Sequence, residues 1–291
     1  GDTIGLISPG MRLADRKRYD EIGDQINNMG YKVKEGPNAR NTNGYLAGTD
    51  KERVSDLHAM FADDSVDAIL PFRGGWGCNR LLPLIDFDLI QDNPKILVGF
   101  SDITTLLLSI YARTGLITFN GPVGKSDWTD FTVKNFRDVL HGATSYTFTI
   151  AEDQLCDDCD TLSVVTPGKA KGRLLGGNLT VLAAMMGSDY LPQWENSILF
   201  IEDVGEAVYR IDRMLTQLKL NGILDKVSGF VLGQCSGCDP SNSYSQSMED
   251  ILDDHIKPLQ VPAFSGAMIG HIKNMTTLPV GLPVSINAQK G

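Results

Sequence analysis

Apolar runs of strand length alternate with amphipathic runs along the first half of the chain. Thr3 to Ser8 reads as a strand. The spacing of Tyr19, Ile22, Ile26 and Met29 then puts one apolar face on a helix over Asp15 to Met29, which Gly30 stops. Val54, Leu57 and Phe61 mark a second helix, and Asp67 to Leu70 a strand. A Gly-rich turn, Arg73-Gly74-Gly75-Trp76-Gly77, leads to a short helix near Asn79. Lys95 to Val98 is the next strand, Ile103 to Thr114 the next helix and Leu116 to Asn120 another strand. This alternation predicts a doubly wound parallel sheet covered on both faces. Ligands of such open sheets sit beyond the carboxyl ends of the strands. The Gly-rich turn and the segment Gly99-Phe100-Ser101-Asp102 both follow strand ends, so the pattern sets them on one crevice.

From Thr144 to Lys171 the chain is rich in Thr, Ser and Asp and contains Pro167-Gly168, which reads as a linker. Beyond it, Gly176-Gly177-Asn178 turns into a helix over Leu179 to Met186. The strand Ser197 to Ile201, a helix around Tyr209 to Leu220, the strand Phe230 to Leu232 and further apolar runs follow. The division predicted is an N-terminal α/β domain over 1–143, a linker over 144–171 and a C-terminal domain over 172–291.

Composition narrows the function classes. A chain of 291 residues, 42% hydrophobic and 21% charged, builds a sizeable core. A net charge of −10 argues against nucleic acid, because phosphate binding needs a basic face. No run approaches the roughly 18 apolar residues of a membrane span. No signal peptide is visible, although a chain that opens on Gly1 leaves a removed leader open. Four of the five cysteines form the pairs Cys156/Cys159 and Cys235/Cys238. Their separation is far beyond the roughly 15–20 residues of a zinc ribbon. Structural zinc, free thiols and local disulfides all stay open.

Ser101 carries the main chemical signal. A serine on a tight turn between a buried strand and a helix exposes its hydroxyl, and the helix N-terminus offers N–H groups to developing negative charge. The hydroxyl needs a base, and the base needs a third group to orient it. Of the four histidines, His58, His141 and His255 lie among polar residues and read as solvent-facing. His271 ends the apolar run Ala267-Met268-Ile269-Gly270, and an imidazole at the end of a buried strand can reach a cleft. Glu202 and Asp203 follow the apolar strand Ile198 to Ile201. Either they orient the imidazole or they complement the dipole of the next helix. The order nucleophile, acid, base matches that of α/β-hydrolases, but Ile103 replaces the second glycine of G-x-S-x-G. The turn at Gly74 to Gly77 lacks the P-loop Lys-Ser/Thr and suits a backbone N–H donor to an oxyanion better than a phosphate cradle.

Together, Arg73-Gly74-Gly75-Trp76-Gly77, Gly99-Phe100-Ser101-Asp102, Gly121-Pro122, Gly176-Gly177-Asn178-Leu179, Ile201-Glu202-Asp203, Tyr209-Arg210-Ile211-Asp212-Arg213, Gly270-His271 and Leu278-Pro279-Val280-Gly281 occur in an order that resembles the LD-carboxypeptidase family of serine peptidases, which includes the microcin C self-immunity peptidases. The resemblance spans nearly the whole chain. It implies a Ser101–His271–Glu202 triad, and an α/β N-terminal domain followed by a β-rich α+β C-terminal domain. It also implies a cytoplasmic homodimer without metal or cofactor. Trp76 and Phe100 stand where tyrosine is common in that family, and Cys235 where a larger apolar residue is expected. The implied activity is cleavage of the amide between an L-centre and a terminal D-alanine of murein tetrapeptides in cell-wall recycling. The N–H groups of Gly75 and Asp102 would form the oxyanion hole, and Arg73, Gly74 and Trp76 would bind substrate, Arg73 as a cation for its free carboxylate.

Three other readings remain. A microcin C-type immunity peptidase acting on aminoacyl-nucleotide analogues would be expected to offer an aromatic near Gly176-Gly177, yet Thr166 to Leu175 contains no Trp, Tyr or Phe. A non-catalytic muropeptide-binding module has no need of Ser101, Glu202 and His271 together. A zinc protein would use the CxxC pairs.

Overall fold

The computed structural model describes residues 1–142, 159–240, 242 and 244–289. Five parallel strands, β1 (Thr3–Ile7), β2 (Lys32–Glu35), β3 (Ala68–Pro71), β4 (Ile96–Gly99) and β5 (Thr118–Asn120), form the first sheet in the order β2-β1-β3-β4-β5. β2 escapes the sequence pattern because it is a polar edge, Lys-Val-Lys-Glu, with no apolar face to announce it. Helix α1 (Lys17–Asn28) covers one face, where Tyr19, Ile22 and Ile26 pack with Leu6, Leu70, Phe72 and Val98. α2 (Asp50–Ala62), α3 (Phe87–Asp92) and α4 (Thr104–Thr114) cover the other. A capping box between Thr49 and Glu52 opens α2. α5 (Asp130–Leu140) returns to the α1 side through Phe136.

The stretch read as a linker is partly strand. β6 (Ser163–Thr166) and β7 (Lys169–Asn178) fall in or begin within it, while 143–158 lies outside the described residues. After α6 (Leu179–Ala184) come β8 (Ser197–Val204), α7 (Val208–Leu220), β9 (Val227–Ser236), α8 (Met248–His255), β10 (Ala263–Ser265), β11 (Leu278–Val280) and β12 (Pro283–Asn287). The second sheet has the order β12-β7-β8-β9-β10-β6, parallel from β7 to β10 with an antiparallel strand at each edge. β11 instead runs antiparallel to β5 and extends the first sheet, tying the end of the chain to its beginning.

One apolar core joins the sheets: Leu106, Leu107 and Ile110 of α4 belong to the same cluster as Leu175, Leu199, Phe200 and Phe230. The carboxyl end of β4 therefore faces the carboxyl ends of β7 and β8. In side-chain terms, the Thr104 hydroxyl accepts the backbone N–H of Asn178 at 3.0 Å.

Candidate active site

β4 ends at Gly99, and a single 3-10 turn (Ser101–Ile103) connects it to α4. Within that turn Ser101 takes φ 62°, a left-handed conformation rare for a residue with a Cβ. Such strain persists only where the surroundings over-determine it. Here the Gly74-Gly75 turn presses from one side: a Cβ on Gly74 would sit 3.1 Å from both Ser101 Cβ and Asp102 N. Glycine is what lets that backbone reach the serine. N–H groups in the first turn of a helix have no intrahelical acceptor, so that of Asp102 is available beside the hydroxyl.

The base arrives from the far end of the sequence. The run 267–270 is not a strand; it is an irregular segment held along β9 by Ala267 N–H to Leu232 O (3.2 Å) and Gln234 N–H to Ile269 O (2.8 Å). His271 follows it, with Nε2 3.1 Å from Ser101 Oγ and Nδ1 2.8 Å from Glu202 Oε2. Phe100 packs on the imidazole with ring centroids 4.8 Å apart. A Cβ on Gly270, at φ 123°, would lie 2.9 Å from Glu202 Oε2, so this glycine leaves room for the carboxylate.

Glu202 and Asp203 lie inside β8 rather than after it, both buried. The β8–β9 register shifts between Ile201 and Asp203, an irregularity of the kind that re-aims side chains. Glu202 faces His271. Asn178, its neighbour on β7, donates from one amide to Glu202 Oε1 and Asp203 Oδ1, each at 3.1 Å. Asp203 also accepts the Thr180 N–H (2.9 Å) and hydroxyl (2.8 Å). Burial nevertheless pushes its carboxyl above the usual carboxylate range, with the Thr180 hydrogen bonds opposing. Asp102 is raised for the same first reason, and its Oδ2 accepts the Cys78 N–H at 2.9 Å. In the tautomer whose Nδ1–H donates to Glu202, Nε2 is left to accept from the Ser101 hydroxyl.

The other sequence-predicted residues distribute around this centre. Arg73 is half-buried at the end of β3, and Trp76 stands 63% exposed at the rim, edge-on to Tyr45. His141 is exposed, as expected from its polar setting. His58 and His255 are not: His58 Nε2 accepts the Asp86 N–H at 2.9 Å, and His255 Nε2 lies 2.6 Å from Asp212 Oδ1. Each has found a polar partner distant in sequence, which is why neither faces open solvent. Cys235 and Cys238 are joined as a disulfide, and Cys156 lies outside the described residues. Among the described residues there is no cluster of three or more potential metal ligands.

Two contributors carry little signal in the sequence. Asn178 reads there only as a turn residue, although an amide side chain ahead of an apolar helix already signals a cap; its Oδ1 accepts the Val181 N–H at 3.1 Å. Arg53 has no signal at all. It is buried, donates to the carbonyls of Pro9 and Gly77 and pairs with Asp50, so it ties together the loops after β1 and β3.

Comparison with known proteins shows the family to which the chain belongs. The LD-carboxypeptidase N-terminal domain matches residues 4–121 and the LD-carboxypeptidase C-terminal domain residues 171–286. A probable murein peptide carboxypeptidase of Bacillus subtilis is 38% identical over 99% of this chain and 89% of its own. The Escherichia coli microcin C7 self-immunity protein MccF is 33% identical over 99% of this chain and 91% of its own. A structure of MccF in complex with glutamyl sulfamoyl guanosine superposes with a TM-score of 0.91 at 32% identity, covering 99% and 93% of the two chains. That of a muramoyltetrapeptide carboxypeptidase from Oxalobacter formigenes gives 0.84 at 29% identity, covering 98% and 94%. With both domains matched and such relatives along its length, this chain belongs to the LD-carboxypeptidase family.

Proposed function

We propose that the protein is a serine-type LD-carboxypeptidase that removes the terminal D-alanine of murein tetrapeptides. The observation that carries the reading is the continuous path Ser101 Oγ–His271 Nε2 (3.1 Å) and His271 Nδ1–Glu202 Oε2 (2.8 Å), closed by buried partners. Ser101 Oγ attacks the scissile carbonyl as Nε2 takes its proton. The Gly75 and Asp102 N–H groups hold the oxyanion, and losing one such donor costs about 10²–10³ in turnover. The imidazolium, held by Glu202, then gives its proton to the departing amine. Water then attacks the acyl carbonyl as Nε2 takes its proton, and the imidazolium returns that proton to Ser101 Oγ as the ester bond breaks and the acid leaves. Arg73, Gly74 and Trp76 line the substrate side.

The names of the relatives support the same substrate: one is a probable murein peptide carboxypeptidase, another a murein tetrapeptide carboxypeptidase. A cytoplasmic homodimer belongs to this reading, and sedimentation of the purified chain tests the dimer. Among the described residues no helix is long and apolar enough to cross a membrane.

The deciding experiment measures D-alanine release from a disaccharide tetrapeptide by the intact protein and by Ser101→Ala. Release that vanishes in the variant is expected. Release that survives it removes Ser101 from its role. No release by either turns attention to aminoacyl-nucleotide analogues, the substrate type of the second reading, which the 0.91 superposition on MccF favours.

A further inference from the structure

Two arginines serve the loops after β1 and β3, and they differ in their company. Each has a buried Nε without a partner. The terminal nitrogens of Arg53 meet Asp50 and two carbonyls. Those of Arg73 make one long hydrogen bond, from Nη1 to the Arg12 carbonyl at 3.4 Å. Among the described residues no carboxylate reaches it. Lys125 stands alongside, because its backbone N–H donates to the Phe72 carbonyl at 2.9 Å. It too has no carboxylate partner among the described residues, and the charges that reach it belong to Arg73 and Arg18. Lys125 is exposed as a residue, yet desolvation of its ammonium end by the surrounding atoms, and then these two cations, hold it below its ordinary range.

This arrangement is unusual in a chain with 36 acidic and 26 basic residues. Arg40 is paired with Glu35 and Asp20, and Arg80 with Asp50, while among the described residues Arg12 has only the carbonyls of Gly44 and Leu13. A partly desolvated guanidinium without a counter-charge costs free energy that an arriving anion recovers.

Its place in the fold says where that anion would lie. In the order β2-β1-β3-β4-β5 the chain leaves β1 toward α1 and leaves β3 toward the opposite face. The crevice opened between them is the switch point at which such sheets take ligands. Arg73 stands on it, one residue before the glycine whose Cβ would meet Ser101. In a peptide the terminal carboxylate is separated from the scissile nitrogen by a single α-carbon. A cation that reads it must therefore stand next to the nucleophile.

We propose that Arg73 and Lys125 form a carboxylate clamp for the terminal carboxylate of the departing residue, and that this clamp makes the enzyme an exopeptidase. The proposal rests on the peptidase reading above. The guanidinium fork matches two carboxylate oxygens, and Lys125 adds a point charge.

The test uses the full chain carrying Ser101→Ala, which binds without turnover, and two probes: murein tetrapeptide as the free acid and as its C-terminal amide. Calorimetry is expected to show the acid bound about 10²-fold tighter than the amide. Arg73→Met should abolish that preference. Lys125→Met, at an exposed position that folding tolerates, should reduce it about tenfold. Equal binding of acid and amide overturns the clamp, as does an Arg73→Met variant that weakens both probes alike. An Arg73-dependent preference in a protein whose Ser101 form releases no D-alanine keeps the clamp and discards the peptidase reading. With Ser101 restored, equal kcat/KM on acid and amide also overturns it.

Discussion

On the nucleophile side of the crevice, position is set by backbone; on the base side it is set by buried side chains. Ser101 is placed within a few residues of chain, by a left-handed φ between β4 and α4 and by a glycine turn pressed against it. His271 and Glu202 are 69 residues apart, and the amide that steadies Glu202 comes from a third segment. Strain of the first kind costs on the order of 1–3 kcal/mol and is borne by packing elsewhere. The second kind is a polar network in which each member satisfies another, so its groups serve chemistry and stability together. Substitutions on the two sides should therefore separate activity from stability in opposite ways.

The largest effect is expected at Ser101. Ser101→Ala should lower kcat by about 10⁴–10⁶ while leaving the fold intact. Ser101→Gly should be as inactive, yet more stable than the alanine variant by about 1 kcal/mol in urea unfolding, since glycine adopts φ 62° freely. Equal stability of the two would show that the turn is not strained and would break the comparison. On the base side, Gly270→Ala sets a methyl group against Glu202 Oε2 at a φ of 123°. Its kcat should fall about 10²-fold with KM little changed, because the carboxylate and imidazole shift while the substrate side does not. Asn178→Ala should cost about 1–3 kcal/mol, by removing the cap of α6 and leaving two buried carboxylates short of a donor. Its effect on kcat should be smaller than that of Gly270→Ala. The reverse order would mean that Asn178, not space, positions Glu202.

The same division explains what is legible in the sequence. The α/β alternation of the first sheet shows because most of its elements bury a periodic face, as Tyr19, Ile22 and Ile26 do at helical spacing on α1. The tight turn at Ser101 shows because its determinants are adjacent in the chain. The meeting of Ser101, His271 and Glu202 has no such local signal; it is implied by resemblance, and the two short distances that link their atoms support it. Asn178 is unreadable as a partner of Glu202 because their contact depends on the register of β7 against β8. β11 is unreadable as part of the first sheet for the same reason, its partner Asn120 lying more than half the chain away. His255 looks solvent-facing because the acid that holds it, Asp212, is 43 residues distant.

The smallest expected effect compares the buried carboxylates that flank the site on its two sides. Burial raises both Asp102 and Asp203. A carboxyl whose native pKa is raised holds its proton more tightly when folded. Its contribution is full below the unfolded value, about 3.9, and is lost as pH rises through the native value. Where it is ionised, Asp102 is thus a burden, offset in part by the Cys78 N–H and thiol and by the charge of Arg53, of which the oxygen of an asparagine can keep the N–H. Asp102→Asn should therefore be more stable than the wild type at pH 7, on the order of 1 kcal/mol, with the advantage shrinking toward pH 4. Asp203 accepts from Asn178, from the N–H and hydroxyl of Thr180 and from the Val204 N–H, and an asparagine amide would turn a donor toward donors. Asp203→Asn should lose stability at both pH values. Urea midpoints of the three proteins at pH 7 and pH 4.5 decide it. An Asp102→Asn variant less stable than the wild type at pH 7 would mean that the nucleophile side, too, depends on a charged network rather than on backbone alone.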